Sequence, residues 1–332
     1  MHFEPIATGL LTRPGTSSVF QSSRRGSWLW PRSTATSERS AAAMKRLTIQ
    51  HRTQYSFSSP VRLGAHRLFL RPREGHDLRI AASTLTLSPD ATIAWRRDYF
   101  DNVLAVADFG DESLETVSIA SNVEVELYDE LPLNFIVDER ALRFPLTYDA
   151  DELEALGPYL KPIYPNDPQL LGWLEAYRIL PGDTETFTVL DRINNRIHDE
   201  LMYQLREEEG VRPPGVTLGL GAGACRDFAA LFMECCRRLG IAARFVSGYA
   251  HNPATEAGGA ATHAWAEVYL PGAGWKGFDP TYATVVGPDH IPVAVHAHPE
   301  AIPPVSGSFM GRADVASTLT VNVQINLLPD EQ

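Results

Sequence analysis

The chain has 332 residues, a formal net charge of -12 and a mean hydropathy of -0.16, with 44% hydrophobic and 21% charged residues. This balance supports a globular protein with a sizeable core and, from its length, two domains. The acidic charge excludes an extended basic surface, so nucleic acid and anionic membranes are poor partners, and no apolar run reaches the roughly 18 residues of a membrane-spanning helix.

In chain order, residues 1–43 stand apart: they are rich in Ser and Thr, with Arg13, Arg24, Arg25, Arg32 and Arg39 against only Glu4 and Glu38. A transit peptide has such a composition, but the expectation is a disordered tail or an extended translation start, with Met44 as the true beginning. From Met44 the pattern alternates. Leu47, Ile49, His51, Thr53, Tyr55 and Phe57 share one face, a period of two that predicts a half-buried strand. Short strands follow at 67–70, 80–87, 92–96, 103–109 and 115–127, separated by turn residues such as Pro72, Gly75, Pro89, Asp90 and Asn102. Such punctuation predicts an N-terminal β-sandwich over residues 44–128.

Residues 129–182 form a Pro-studded linker with short helical signals, such as 168–176. A catalytic core is expected over 183–328. It opens with a helix capped by Asp183 or Thr184, whose apolar positions Phe187, Leu190, Ile193, Ile197 and Leu201 recur at helical spacing. A second helix begins after Gly223, carries a stripe of Phe228, Leu231, Phe232, Cys235 and Leu239, and ends at Gly240. Strands are predicted at 244–250, 262–270 and 275–279, then Pro-rich coil over 288–304, then a last strand with Leu319, Val321, Val323, Ile325 and Leu327 on one face. Helices followed by antiparallel strands make the fold class α+β.

The only cysteines are Cys225, Cys235 and Cys236, an odd and low count unlike a secreted disulfide scaffold. Cys225 and Cys235 on one helix lie roughly 15 Å apart along its axis, past the about 7 Å between Cα atoms that a disulfide spans. Reduced thiols in a reducing, cytoplasmic compartment are expected. Cys225 follows Gly219, Gly221 and Gly223, which let backbone approach a bound group. At a helix start, unpaired N–H groups and the positive dipole end favour a thiolate and can receive an oxyanion. The alternative is a small apolar residue on the buried stripe, the usual place of a free cysteine. Cys235 and Cys236, deep in the helix, read as core. There is no CxxC spacing, and neither a metal nor a cofactor is expected.

A nucleophilic thiol needs a base. In THAWAEVYL, alternation turns His263, Trp265, Glu267 and Tyr269 one way, and Asp279 stands on the next strand before Pro280, able to accept from one imidazole nitrogen. Register decides whether it does. A two- or four-residue loop turns Asp279 away from His263, whereas pairing Tyr269 with Trp275 around a five-residue loop, or adding a bulge, sets it opposite Trp265 and diagonal to His263, and this second arrangement is the predicted one. Singly, His263 reads as a core histidine satisfied by backbone and Asp279 as a turn initiator. Together, Cys at a helix start, His on a strand and Asp on the following strand are the ordered parts of a thiol acyl-transfer site.

The segments GACRDFAALFMECCRRLGIAARFVSGY and HAWAEVYLPGAGWKGFDPT resemble the core of the transglutaminase-like superfamily in its bacterial branch, and LTIQHRTQYSFSSPVRLGAHRLFLRPR resembles the β-rich region preceding it. The resemblance covers roughly residues 44–328. It implies a papain-like core with the Cys-bearing helix packed on an antiparallel sheet. In it Cys225 is the nucleophile, His263 the general acid/base and Asp279 the residue orienting it. It further implies attack on a carboxamide or peptide carbonyl, a thioester, and transfer of the acyl group to water or an amine. Arg226 stands where many relatives carry Gln, which leaves the triad in place. Beside the Cys225 N–H, the second oxyanion donor stays open among Tyr203, Gln204 and Thr217.

No calcium-loop pattern and no amine-binding second site is visible, so peptide or amide hydrolysis is favoured over crosslinking, with a peptide or protein amide as substrate. The competing class is a non-catalytic binding or scaffold module on the same core. Such members usually lack a triad residue, and here all three stand. Arylamine N-acetyltransferase-like transfer uses a similar triad but expects an N-terminal helical bundle, against which the β-rich start argues. Glu207, Glu208 and Glu209 read as a solvated face.

Overall fold

The computed structural model describes residues 44–128, 133–176, 184–206, 208–251, 259–260 and 262–329. The expectations for residues 1–43, for a cap at Asp183 and for Glu207 lie outside the described residues.

The N-terminal part is β1 (Lys45–Leu63), β2 (His66–Leu68), β3 (Leu78–Ser88), β4 (Thr92–Arg97), β5 (Val103–Asp108) and β6 (Ser113–Leu127). The helices α1 (Glu139–Leu142), α2 (Ala150–Leu160) and α3 (Pro168–Glu175) follow. Next come α4 (Thr186–Glu200), β7 (Met202–Tyr203), α5 (Pro214–Leu220), β8 (Ala222–Gly223) and α6 (Cys225–Arg238). The chain then turns to strands: β9 (Ala243–Ala250), β10 (Gly259–Ala260), β11 (Thr262–Leu270), β12 (Gly274–Asp279), β13 (Thr284–Val285) and β14 (His290–His296). It ends with β15 (Val305–Ser306), β16 (Phe309–Met310) and β17 (Ser317–Leu327). No helix among the described residues is long and apolar enough to cross a membrane.

One sheet runs β10-β17-β1-β6-β3 with β16 beside β1, and another runs β15-β2-β5-β4. Val61, Val117 and Ile119 from the first meet Leu68, Ala105 and Ala107 from the second in a shared core. The alternation that predicts β1 is visible in its burial: Leu47, Ile49, His51 and Thr53 point inward while Gln50, Arg52 and Gln54 are exposed.

The sheet β13-β12-β11-β9-β14 is antiparallel throughout and carries α6 on β11 and β9. Ala264, Ala266, Val268 and Leu270 of β11 join Phe228, Leu231, Phe232 and Cys235 of α6 in the main core, and Trp265 enters a separate cluster with Val246 and Val295. The remaining sides of α6 are covered by α2, α4 and α5. Every residue from Asp227 to Arg237 is therefore buried, not a single stripe as expected. The polar ones are satisfied: Glu234 accepts the Ile163 and Tyr164 N–H groups at 3.1 and 3.0 Å, and Arg237 donates to the carbonyls of Lys161, Ala243 and Ala297.

The core does not run unbroken to residue 328. The last strand leaves it and pairs along β1, from Leu47 with Leu327 to Phe57 with Ser317, and β10 adds to its other edge. Of its expected apolar face only Val323 and Ile325 are buried. The α4 helix begins at Thr186 with Glu185 as its N-cap, so Thr184 does not cap it. The region expected as coil holds β14. Pro292 lies at a bulge on this edge strand, where a missing N–H removes no interior ladder bond.

Candidate active site

Two short elements, both within the loop expected before Gly223, deliver the chain to Cys225. The α5 helix ends at Gly221, whose φ of 63° is left-handed and suits glycine. Then β8 pairs in parallel with β7, the Met202 N–H donating to the Gly221 carbonyl at 2.9 Å and the Gln204 N–H to Gly223 at 2.8 Å. A Cβ on Gly223 would lie 3.0 Å from Asp227 Cβ and 3.1 Å from Thr217 Cγ2. These glycines serve a turn and close packing rather than room for a bound group.

Ala224 is the N-cap of α6 and Cys225 its first residue, so the Cys225 amide belongs to the first-turn donors that lack an intrahelical partner. Alanine offers no capping oxygen. Asp227 supplies one by accepting the Ala224 N–H at 2.9 Å. Its fully buried carboxylate also accepts Arg206 Nε at 2.9 Å, Arg206 Nη2 at 3.1 Å and the Arg212 N–H at 2.9 Å. Arg226 donates to the carbonyls of Gly210, Arg206 and Glu208 at 2.9, 3.3 and 2.5 Å. Both side chains thus tie the residues after Gln204 to the start of the cysteine's helix.

Tyr269 pairs with Trp275 and Ala266 with Phe278, which is the predicted register. His263 Nε2 lies 2.6 Å from Asp279 Oδ2, and Cys225 stands near enough to the same ring to raise its pKa. Since the carboxylate occupies Nε2, Nδ1 is the nitrogen left for the thiol. Asp279 Oδ1 accepts the Thr281 N–H at 2.9 Å, and His198 Nδ1 bonds the Thr281 carbonyl at 3.0 Å. The two readings of Asp279, turn initiator and histidine partner, are one geometry: each oxygen does one of them.

Burial by itself lowers the His263 pKa, but the charge and hydrogen bond of Asp279, reinforced by Cys225, raise it to about 10. Burial pushes Asp279 up, and the His263 charge with the hydrogen bonds of His263 and His290 overcomes it, holding the carboxyl well below the usual range. An imidazolium held in this way is a positive charge beside the Cys225 sulfur. Cys235 and Cys236 are fully buried, and burial pushes both thiols up, out of reactive range.

A second imidazole escaped the sequence reading: His290 Nε2 lies 2.9 Å from the same Oδ2 of Asp279. Its signal was the apolar period of two at Ile291, Val293 and Val295, masked by the surrounding prolines. His263, Asp279 and His290 bring three metal-ligand atoms within 4.8 Å. Yet at 2.6 and 2.9 Å these atoms are hydrogen-bond partners, closer than the about 3.3 Å that separates ligands around a zinc with bonds of about 2.0 Å. Tyr282 stacks on His263 with centroids 5.1 Å apart. Tyr203, half exposed, stands near Cys225, and its phenol is pushed up to about 12 by burial first and by Cys225 second. Among the considered oxyanion donors, the Gln204 amide is engaged with Gly223 and the Thr217 hydroxyl with the Pro213 carbonyl at 3.4 Å. Tyr203 remains.

A cysteine at a helix start, meeting a histidine and an aspartate on an antiparallel sheet, places the chain among thiol-site proteins of helix-on-sheet design. Residues 47–126 match the bacterial transglutaminase-like N-terminal region, and residues 176–280 match the transglutaminase-like superfamily. The chain belongs to the transglutaminase-like superfamily. Uncharacterized protein Rv2569c of Mycobacterium tuberculosis (strain ATCC 25618 / H37Rv) is 29% identical over 304 residues, covering 86% of this chain and 93% of the relative. Uncharacterized protein ML0607 of Mycobacterium leprae (strain TN) is 26% identical over 305 residues, covering 86% of this chain and 100% of the relative. The crystal structure of a provisionally assigned cysteine protease from Cytophaga hutchinsonii superposes with a TM-score of 0.64 at 20% identity, over 87% of this chain and 92% of that one, a likeness of fold. Membership of the superfamily supports thiol-dependent catalysis in general.

Proposed function

We propose that this chain is a cysteine peptidase or amidase that cleaves an amide, peptide or isopeptide bond through a thioester on Cys225. The observation that carries the reading is the His263 ring, 2.6 Å from the buried Asp279 carboxylate and beside Cys225 at the start of its helix. The Cys225 sulfur attacks the carbonyl carbon, and the negative charge forming on oxygen is received by the Cys225 N–H and by a side-chain donor of the Tyr203–Gln204 segment. His263 gives its Nδ1 proton to the leaving amine as the C–N bond breaks. It then takes a proton from water, whose oxygen attacks the thioester carbon and expels Cys225. Asp279 holds the ring tautomer and stabilises the imidazolium in both halves.

On this reading an N-terminal sandwich over 44–128 precedes the catalytic core, and the last strand returns to the sandwich. The substrate is a peptide or protein amide. The compartment is a reducing one, the cytoplasm, in keeping with the free thiols of Cys225, Cys235 and Cys236.

The test is a panel of peptides and carboxamides, comparing the full chain with Cys225→Ala and reading peptide cleavage, ammonia release and amine incorporation. Turnover with an acyl adduct on Cys225, and release without amine incorporation, are the expected results. Turnover undiminished in Cys225→Ala overturns the reading, and a folded wild-type chain that never acquires an acyl adduct returns the choice to a binding module.

A further inference from the structure

His290 opens β14, the edge strand beside β9, and only 7% of its side chain is exposed. Its two ring nitrogens have different partners. The Gly287 N–H donates to Nδ1 at 3.4 Å, and the His290 N–H donates back to the Gly287 carbonyl at 2.9 Å. A ring nitrogen that accepts a hydrogen bond carries no proton, so Nε2 is the nitrogen left to donate. That nitrogen faces Asp279 Oδ2 at 2.9 Å. The edge of Trp265 meets the ring with centroids 5.2 Å apart and planes at 76°, which limits its rotation.

The Asp279 carboxylate thus has the Thr281 N–H on Oδ1 and both His263 and His290 on Oδ2. An ionised carboxylate offers about four lone-pair sites, so it can accept from all three. Rotating it about its Cβ–Cγ bond breaks at least one of these bonds. The place of Oδ2 in turn sets the plane of the His263 ring, which stands beside Cys225.

We propose that His290 is a positioning residue of this site: as an Nε2–H donor it locks the Asp279 carboxylate with Oδ2 toward His263, and so sets the geometry of the Cys225–His263 pair. This rests on the reading of Cys225, His263 and Asp279 as the reacting groups. The titratable groups set against His290 include Asp279 and His263 on the sheet, and Asp289 adjoins it in the chain. The Asp289 carboxylate pairs with Lys45 of β1 and lies 3.4 Å from His251 Nδ1. The N-terminal sheet therefore braces the turn that carries His290.

The test needs no substrate. The rate of Cys225 alkylation by iodoacetamide is followed over about pH 5 to 10 on the full chain, for wild type, His290→Gln, His290→Leu and His290→Asn, with the melting temperature of each. The Gln amide nitrogen can take the place of Nε2. Leu fills the space against Trp265 without donating, and Asn falls short of Oδ2. Gln is expected to stay within about threefold of wild type with an unchanged pH profile, while Leu and Asn react about tenfold to a hundredfold more slowly at neutral pH. Equal rates and profiles in all three variants, whether near wild type or reduced, overturn the proposal. The Gln and Asn variants carry the comparison if Leu fails to fold. A wild-type Cys225 that reacts no faster than the same thiol in urea is a different outcome, and it overturns the reading of the reacting groups along with the role of His290.

Discussion

His263 Nε2 and Asp279 Oδ2 meet at 2.6 Å because Tyr269 pairs with Trp275 across the β11–β12 turn. A slip of one residue would send Asp279 to the opposite face, so this pair is a property of strand register. Asp279→Asn keeps the side chain's shape, but its amide nitrogen donates where His263 needs an acceptor, favouring the wrong ring tautomer. It is expected to lower kcat/KM for hydrolysis by about 100-fold or more while far-ultraviolet circular dichroism stays that of wild type. Activity within a few-fold of wild type would remove Asp279 from the site.

The same pair ties stability to pH. His263 keeps its proton in the fold where the unfolded chain has lost it, so its contribution is whole below about pH 6.5 and fades as pH climbs to about 10. Asp279, held below the usual carboxylate range, contributes above that range and loses the contribution as pH falls through it. The urea midpoint is therefore expected to be higher at about pH 6 than at about pH 9, with His263→Gln flattening the difference. A wild-type midpoint that rises across this interval contradicts the charge state assigned to the pair.

What the sequence made legible were local devices. The helix start at Cys225, the alternation through His263 and an aspartate before Pro280 are each written within a few residues. His290 was not legible, because Pro292 disguises β14 as coil and the strand exists through its edge pairing with β9. The alternation of Leu319, Val321, Val323 and Ile325 marks a strand but cannot name its partner, and β1 lies at the other end of the described chain. Arg226 was legible as the neighbour of Cys225 at the helix start. Its carbonyl partners were not, since no short-range pattern sets the path of the residues after Gln204.

Burial separates the cysteines chemically. Cys225 is partly exposed, whereas Cys235 and Cys236 are fully enclosed with thiols pushed up by burial. Iodoacetamide at neutral pH is expected to place a single adduct on the folded protein, on Cys225, and to reach Cys235 and Cys236 only in urea. Peptide mapping by mass spectrometry reads this directly. Equal labelling of Cys225, Cys235 and Cys236 in the folded state would mean that the α6 environment is not the enclosed one described.

The buried Arg206–Asp227 pair links stability to reactivity. Asp227 is fully enclosed and accepts from Arg206, Arg212 and Ala224, so Arg206→Ala strands a buried carboxylate without its cation, a change that costs about 3–5 kcal/mol. The Ala224 bond is also what caps the helix bearing Cys225, and a carboxylate free to turn toward water no longer holds it. The variant is expected to lose stability on that scale in urea unfolding and, while still folded, to alkylate Cys225 more slowly than wild type. Asp227→Asn keeps an oxygen for Ala224 and gives up the charge, so it should retain more of the Cys225 reactivity than Arg206→Ala does. A loss under about 1 kcal/mol for Arg206→Ala would show the pair behaving as a solvated surface bridge, and would detach the Cys225 helix start from this network.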